Sequence, residues 1–398
     1  MTTQTGVGIS HHRNPIKAGQ DAVAQAIQAA GLQAADPLDF IFVFASMGYN
    51  QAMLLRAIRE AAGHCPLAGC SGAGVIGPGE ADESNFSVAV MVVRSDELRF
   101  HNHWVTGLKA DPEEVGKKLA HRVNPDIQTD AIALFLFPDG LTLNFDRLAA
   151  GLNAGLIAEQ PLPWLGGAAG SDADMKITYQ YCDDQIISDG VVATLMAGQG
   201  QVAWAVNHGC IPVGVQRTIT RAAGNVIYEI DGKPALEILQ DYLTDEELAR
   251  WDETIVTFCL GFQAPSYMRT KDEYIIRYLP AKDEATGAVI IQTEVEPGSA
   301  VWVTRRDAEK ISQGLDQIAT TINAQIGDRT AKMVLHFDCY GRGKFLFRET
   351  EKRDLLNHLQ AQIGSALPWL GFYAFGEIAP IQQYNTVHNY TLVLAVVY

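Results

Sequence analysis

Short apolar runs open three stretches of the chain, at residues 40–45, 131–137 and 333–337. In each stretch a helix-like segment follows. Next comes a proline with a glycine three residues on: Pro66 and Gly69, Pro163 and Gly166, Pro368 and Gly371. A further glycine follows at Gly74, Gly170 and Gly376. A second apolar run closes each stretch, at residues 86–93, 190–196 and 390–397. Self-similarity of this kind means one supersecondary unit used three times. The opening runs are apolar on both faces, as expected of strands buried between layers.

Between the copies the pattern changes. Residues 6–10 read as a short first strand, and the alanine-rich run 18–30 as a helix closed by Gly31. Residues 98–105 read as a strand and 111–123 as an amphipathic helix opened by Asp-Pro. After a strand at 202–206 the turn-rich stretch His208–Gly214 suggests a junction. The expected domains are therefore 1–213 and 214–398. The second half predicts strands at 226–230, 255–260, 274–279, 288–293 and 300–304, short helices near 234–243 and 245–251, and a long helix at 308–326. The fold class implied is α/β, with mixed sheets in layered domains and βαββ-like repeats.

The repeated glycine turns have two readings. Proline stops the helix and glycine allows close backbone approach, so the turns could simply make room for strand crossings. They could equally bring a ligand against backbone amides, because loops on a rigid scaffold commonly carry binding sites. Cys70–Gly74 and Gly167–Ser171 are small and polar enough for that, whereas Phe372–Glu377 is aromatic. None matches a phosphate loop or a dinucleotide fingerprint.

Composition narrows the field. The 398 residues carry a net charge of −16, which argues against nucleic acid and anionic membranes as partners. No signal peptide and no apolar run of membrane-spanning length is visible. The six cysteines are scattered without Cys-x-x-Cys, which suggests reduced thiols and a cytoplasmic protein, and disfavours structural zinc or covalent haem. Ser71 beside Cys70 invites a nucleophile reading, but no base or Gly-x-Ser-x-Gly pattern accompanies it. A Cys/Ser hydrolase is therefore the least favoured class, and the expectation is a binding protein rather than an enzyme. Arg342 between two glycines can grip a carboxylate, and Glu377 in its aromatic loop can meet an ammonium group or cap backbone amides. His11 and His12 lie in a polar segment and are expected to be solvated. His101 and His103 share one face of a strand without an evident third ligand.

Several segments together resemble the FIST sensory proteins: Gly69-Cys70-Ser71, His208–Gly214, Asn225–Leu236, Cys339–Gly343, Gly371–Pro380 and His388–Thr391. Their order fits that family's N- and C-terminal domains. The resemblance covers the chain from about residue 20 to its end. It implies an intracellular ligand sensor, although Gly167–Gly170 departs from the family's pattern; with the glycine turns, the expected pocket draws on Gly69, Cys70, Ser71, Gly166, Gly167, Arg342, Phe372, Tyr373, Glu377 and Asn389.

A free-standing protein of this length is further similar to the haem-binding branch of the family. That similarity implies haem b, nitric oxide as the signal, a histidine kinase as partner and room for a homo-oligomer. The haem iron would need an axial histidine in an apolar cavity. His388, His208 and His336 are the candidates, with His64 behind them. Asp338, two residues from His336 on the same strand face, could orient that ring. The alternative is a sensor of a small amino-acid-like metabolite, with Arg342 on its carboxylate and Glu377 on its amine.

Overall fold

The computed structural model describes residues 2–158, 160–172, 175–263 and 274–398. The first copy runs β1 (Thr3–Ser10), α1 (Pro15–Ala29), β2 (Phe40–Ala45), α2 (Gln51–Ala61), β3 (Leu67–Ser71), β4 (Val75–Gly77), β5 (Glu80–Asp82) and β6 (Val88–Ser95). The second repeats it: β7 (Leu98–Thr106), α3 (Pro112–Val123), β8 (Ala131–Pro138), α4 (Phe145–Gly155), β9 (Trp164–Gly167), β10 (Gln180–Cys182), β11 (Gln185–Ile187) and β12 (Gly190–Gly198).

The third copy begins with β13 (Val202–Asn207) and is interrupted at once. The interruption holds β14 (Cys210–Pro212), β15 (Arg217–Ala223), β16 (Val226–Ile230), β17 (Lys233–Pro234), α5 (Ala235–Gln240), α6 (Asp245–Ala249) and α7 (Trp251–Thr254). It continues through β18 (Phe258–Gln263), β19 (Tyr274–Arg277), β20 (Ala281–Asp283), β21 (Ala288–Ile290) and β22 (Ala300–Arg306). The copy then resumes with α8 (Ala308–Ile326), β23 (Met333–Cys339), α9 (Glu349–Ile363), β24 (Trp369–Ala374), β25 (Glu377–Ile381), β26 (Tyr384–His388) and β27 (Leu392–Val397).

Side-chain caps set the longer helices. Asn14, Asn50, Asp111, Asn144 and Asp307 each accept a backbone N–H at the start of α1, α2, α3, α4 and α8. These caps satisfy donors that the first helical turn leaves unpaired.

Each copy builds the middle of one six-stranded sheet, in which the first two inner strands run parallel, as β2 with β3, β8 with β9 and β23 with β24. The closing hairpin of each copy leaves its own sheet and completes another. Hairpin β4–β5 adds to the third sheet through β24, β10–β11 to the first through β3, and β25–β26 to the second through β9. The exchange is cyclic, so the sheets are interlocked and mixed. The α/β class expected from the pattern is the class observed.

The three sheets turn their inner faces toward one another. Phe44, Phe137 and Phe337 occupy the same position in β2, β8 and β23, each one residue beyond the residue that faces the key glycine. Their rings form a triangle with centroid separations of 5.5, 6.4 and 6.3 Å. This aromatic knot belongs to a core shared by all three copies. The helices cover the outer faces, which is why the opening strands are apolar on both sides.

The described residues between 208 and 306 form a nine-stranded sheet with a hydrophobic core of its own. The junction expected between residues 213 and 214 falls inside this inserted unit. On its N-terminal side, β13 pairs antiparallel with β27 at the far end of the chain.

Candidate functional site

The key glycines make room for strand crossings. A Cβ on Gly69 would lie 1.7 Å from the carbonyl oxygen of Val43, one on Gly166 2.1 Å from that of Leu136, and one on Gly371 2.0 Å from that of His336. Each glycine lets its strand press against the parallel neighbour. The residues beside them, expected to line a pocket, are core. Cys70 is fully buried in the shared aromatic core, and burial pushes its thiol well up. Gly167 abuts Phe372 and Ala374, and Phe372 packs on Phe44 with centroids 4.4 Å apart. Ser71 donates its hydroxyl to Gly170 O at 2.7 Å and accepts from Tyr179 N at 3.0 Å. Both partners of that hydroxyl are backbone groups, and no base is bonded to it among the described residues.

A cleft opens just beyond these turns. It encloses about 280 Å³ and is lined by Ser46, Met47, Gly72, Ala73, Glu83, Ser84, Asn85, Ser171, Asp172, Tyr340 and Lys344. Ser46 follows β2, Gly72 follows β3 and Tyr340 follows β23, so the cleft lies at the carboxyl ends of parallel strands. That is the usual place for ligands in sheets of this kind. Ser171 and Asp172 bring in the second copy. Thus all three copies contribute, through residues one to five positions past the strands that the glycine turns serve.

Glu83 anchors the cleft. Its Oε2 accepts from the backbone N–H of Lys344 at 2.7 Å and from the ammonium of Lys352 on α9. Its Oε1 is buried with no hydrogen-bond partner among the described residues. Burial raises the Glu83 carboxyl, and Lys352 works against that rise. Tyr340 is pushed up to about 12, first by burial and then by the charges of Glu83 and Asp172. Polar groups with acidic character dominate this wall, and Lys344 supplies a cation.

Arg342 lies behind that wall. Its Nε donates to Asp338 Oδ1 at 2.7 Å, and with His336 and Tyr373 it borders a cavity of about 30 Å³ under α8 and α9. Burial acts to raise the Asp338 carboxyl, but Arg342 and His336 outweigh it and hold the group low. Glu377 is completely buried and lies well above the usual carboxylate range, first through burial and then through the charge of Asp338. It accepts from Thr391 N at 3.2 Å. Of the two roles open to it, meeting an amine or capping backbone amides, the contact observed is the second. Asn389 lines neither of these two cavities: its Oδ1 accepts from Tyr278 N and its Nδ2 donates to Gln292 Oε1, tying the end of β26 to the inserted unit.

The candidate histidines are occupied by hydrogen bonds. His336 Nδ1 accepts from the Trp369 indole at 3.1 Å, and its Nε2 lies 3.5 Å from Asp338. Trp369 on one nitrogen and Asp338 beside the other hold that ring from both sides. His208 Nδ1 accepts from Cys210 N at 2.9 Å, and burial with nearby Arg342 and Lys310 lowers the ring to about 4. His388 donates through Nε2 to Ala379 O at 3.1 Å, and burial lowers it to about 3. None of the three borders the 280 Å³ cleft. Haem b needs several hundred Å³ beside an open imidazole nitrogen. Neither cavity described meets that need, so these residues do not fit the group.

Of the remaining histidines, His64 sits in the turn after α2 with φ of 61°. His101 and His103 both face Asp126, at 3.4 and 2.9 Å. His11 is exposed, as its polar segment suggested, and it also meets two carboxylates. Its Nε2 lies 2.7 Å from Glu80 Oε1 and its Nδ1 2.8 Å from Asp82 Oδ2.

A repeat-built α/β scaffold with a polar cleft where its copies meet defines a ligand-binding protein. The chain belongs to the FIST family: the FIST N domain matches residues 39–233 and the FIST C domain residues 235–380. FIST domains are sensory ligand-binding domains of signal transduction. An uncharacterized protein of Mycobacterium tuberculosis is 25% identical over 404 residues, covering 98% of each chain. Another, from Methanocaldococcus jannaschii, is 25% identical over 408 residues, 95% of this chain and 72% of its own. Among solved structures, a chorismatase aligns over 100% of this chain and 99% of its own with 8% identity and a TM-score of 0.36. A cyanuric acid hydrolase covers 50% of this chain and 70% of its own, at 12% identity and a TM-score of 0.28. Similarity this low carries no argument about activity. No helix among the described residues is long and apolar enough to cross a membrane.

Proposed function

We propose that this FIST protein senses a small polar metabolite bound in the cleft between its three copies, and that it makes or breaks no bond there. The observation that carries this reading is Glu83. A buried carboxylate oxygen without a partner, on the wall of a polar cleft, costs stability until a donor reaches it. An ammonium group satisfies that oxygen, and Lys344 lies on the same cleft to meet a carboxylate. The ligand class is therefore amino-acid-like, with Lys344 and Glu83 in the roles that the sequence suggested for Arg342 and Glu377. Binding shifts the protein between states only as far as the ligand favours one of them. A partner signalling protein would read that shift.

The test is calorimetric titration of the whole chain with a panel of small amino acids and primary amines. At least one compound should bind, with affinity falling tenfold or more in Lys344→Ala and in Asp172→Asn. Failure of the whole panel sinks the proposal. A Soret band on hemin addition, lost in His388→Ala, would replace it with the haem-and-nitric-oxide reading.

A further inference from the structure

We infer that His11, Glu80 and Asp82 form a binding site for a divalent transition-metal ion such as zinc(II), separate from the metabolite cleft. His11 directly follows β1 of the first sheet, while Glu80 and Asp82 lie on β5, the edge strand of the third. Two residues apart on a strand, the carboxylates share one face. One ligand atom from each of the three residues lies within 4.8 Å of the others.

The contacts of His11 call for a cation. Both ring nitrogens face carboxylate oxygens, at 2.7 and 2.8 Å. A neutral imidazole carries one N–H and can donate to only one of them. The other nitrogen then meets an oxygen lone pair to lone pair, which is repulsive unless positive charge stands between. A second proton on the ring would supply it, and so would a metal ion. The metal fits the charge better, since two carboxylates and a neutral imidazole sum to −2. One imidazole nitrogen and two carboxylate oxygens suit zinc(II) or cobalt(II), with water completing the shell. Metal–ligand bonds of about 2.0–2.2 Å set neighbouring ligand atoms about 3.3–3.5 Å apart, so the binding nitrogen opens slightly from the carboxylate that it touches while the other carboxylate swings in, small moves for side chains that solvent reaches.

The site is also pre-set. Asp82 Oδ1 accepts from Ser84 N at 2.7 Å and Oδ2 from the Ser84 hydroxyl at 2.9 Å, which fixes the carboxylate from behind. Glu83 and Ser84, the next residues, line the metabolite cleft. A metal here would clip the donated hairpin β4–β5 to the end of β1 and brace one rim of that cleft.

The test uses the untagged full chain, titrated with cobalt(II) and with zinc(II) in competition with a chelator. One equivalent should bind, with cobalt(II) giving visible absorption. His11→Ala and Asp82→Asn should each weaken binding at least tenfold, while His12→Ala should leave it unchanged. Absence of stoichiometric uptake overturns the inference. So does uptake that survives His11→Ala or is lost with His12→Ala. These readouts involve no organic ligand, so their failure says nothing against the cleft.

Discussion

Lys352 on α9 reaches the carboxylate of Glu83 with both side chains almost wholly buried, at 2% and 1% exposure. The pair ties the outer helix of the third copy to the cleft wall. Removing one member of a buried pair strands the other and costs on the order of 3–5 kcal/mol. Lys352→Met should therefore lower stability by roughly that amount in urea titration. The double variant Lys352→Met, Glu83→Gln should recover a good part of it. Equal losses in the single and double variants would show that the charge left behind is not the cause.

The three key glycines should be irreplaceable for one shared reason. A methyl group on Gly69, Gly166 or Gly371 lands within about 2 Å of a carbonyl oxygen in the neighbouring strand. Alanine at any of the three should leave little soluble protein on expression. Alanine at Gly224, a turn with open space around it and φ of 56°, should cost only about 1 kcal/mol through its backbone angle. A soluble, stable Gly166→Ala protein would contradict the close approach.

The axial rings should behave as a unit. Phe44→Ala, Phe137→Ala and Phe337→Ala should each cost about 3–5 kcal/mol, since each opens a cavity in a fully buried core. Because the rings touch, pairwise combinations should depart from additivity. Strict additivity in chemical denaturation would place the three side chains in independent environments.

Acid should weaken the fold through buried histidines. His388 and His208 are lowered to about 3 and about 4 from an ordinary value of 6.5. Below that ordinary value the unfolded chain takes up protons that the folded chain refuses, so stability falls as pH drops from about 6.5 toward 4. His388 alone should account for on the order of 2 kcal/mol by about pH 4.5. Glu377 has the opposite sign: raised by burial, it keeps its proton while the unfolded chain releases one, so it opposes folding as pH rises. Urea midpoints across this range should show the acid-side slope, flattened in His388→Asn. An unchanged slope in that variant would assign the loss to other groups.

The sequence made the repeated plan readable because each opening strand carries apolar residues on both faces and each glycine turn keeps its spacing. The caps and the long helix α8 could be read from local signals as well. Which sheet a hairpin joins could not. Val75–Gly77 is three residues long and buried throughout, so nothing in its pattern prefers β24, some 300 positions away. The glycines were visible as special positions, but spacing alone does not separate room for a strand from room for a ligand. The cleft begins one step further on, at Gly72 and Ser171, where small polar residues gave a partial signal. His11 was opaque for the reason that hid the hairpin: its carboxylate neighbours arrive on a strand donated to another sheet.

The cyclic trade of hairpins has a consequence for how such a molecule can be divided. Each third of the chain carries, just before its last strand, a piece that completes another third's sheet, and lacks the piece that completes its own. A single third cut free would expose a bare strand edge and carry a hairpin with nothing to join. Three such thirds as separate chains could still close the ring, each handing its hairpin to the next. Two could not.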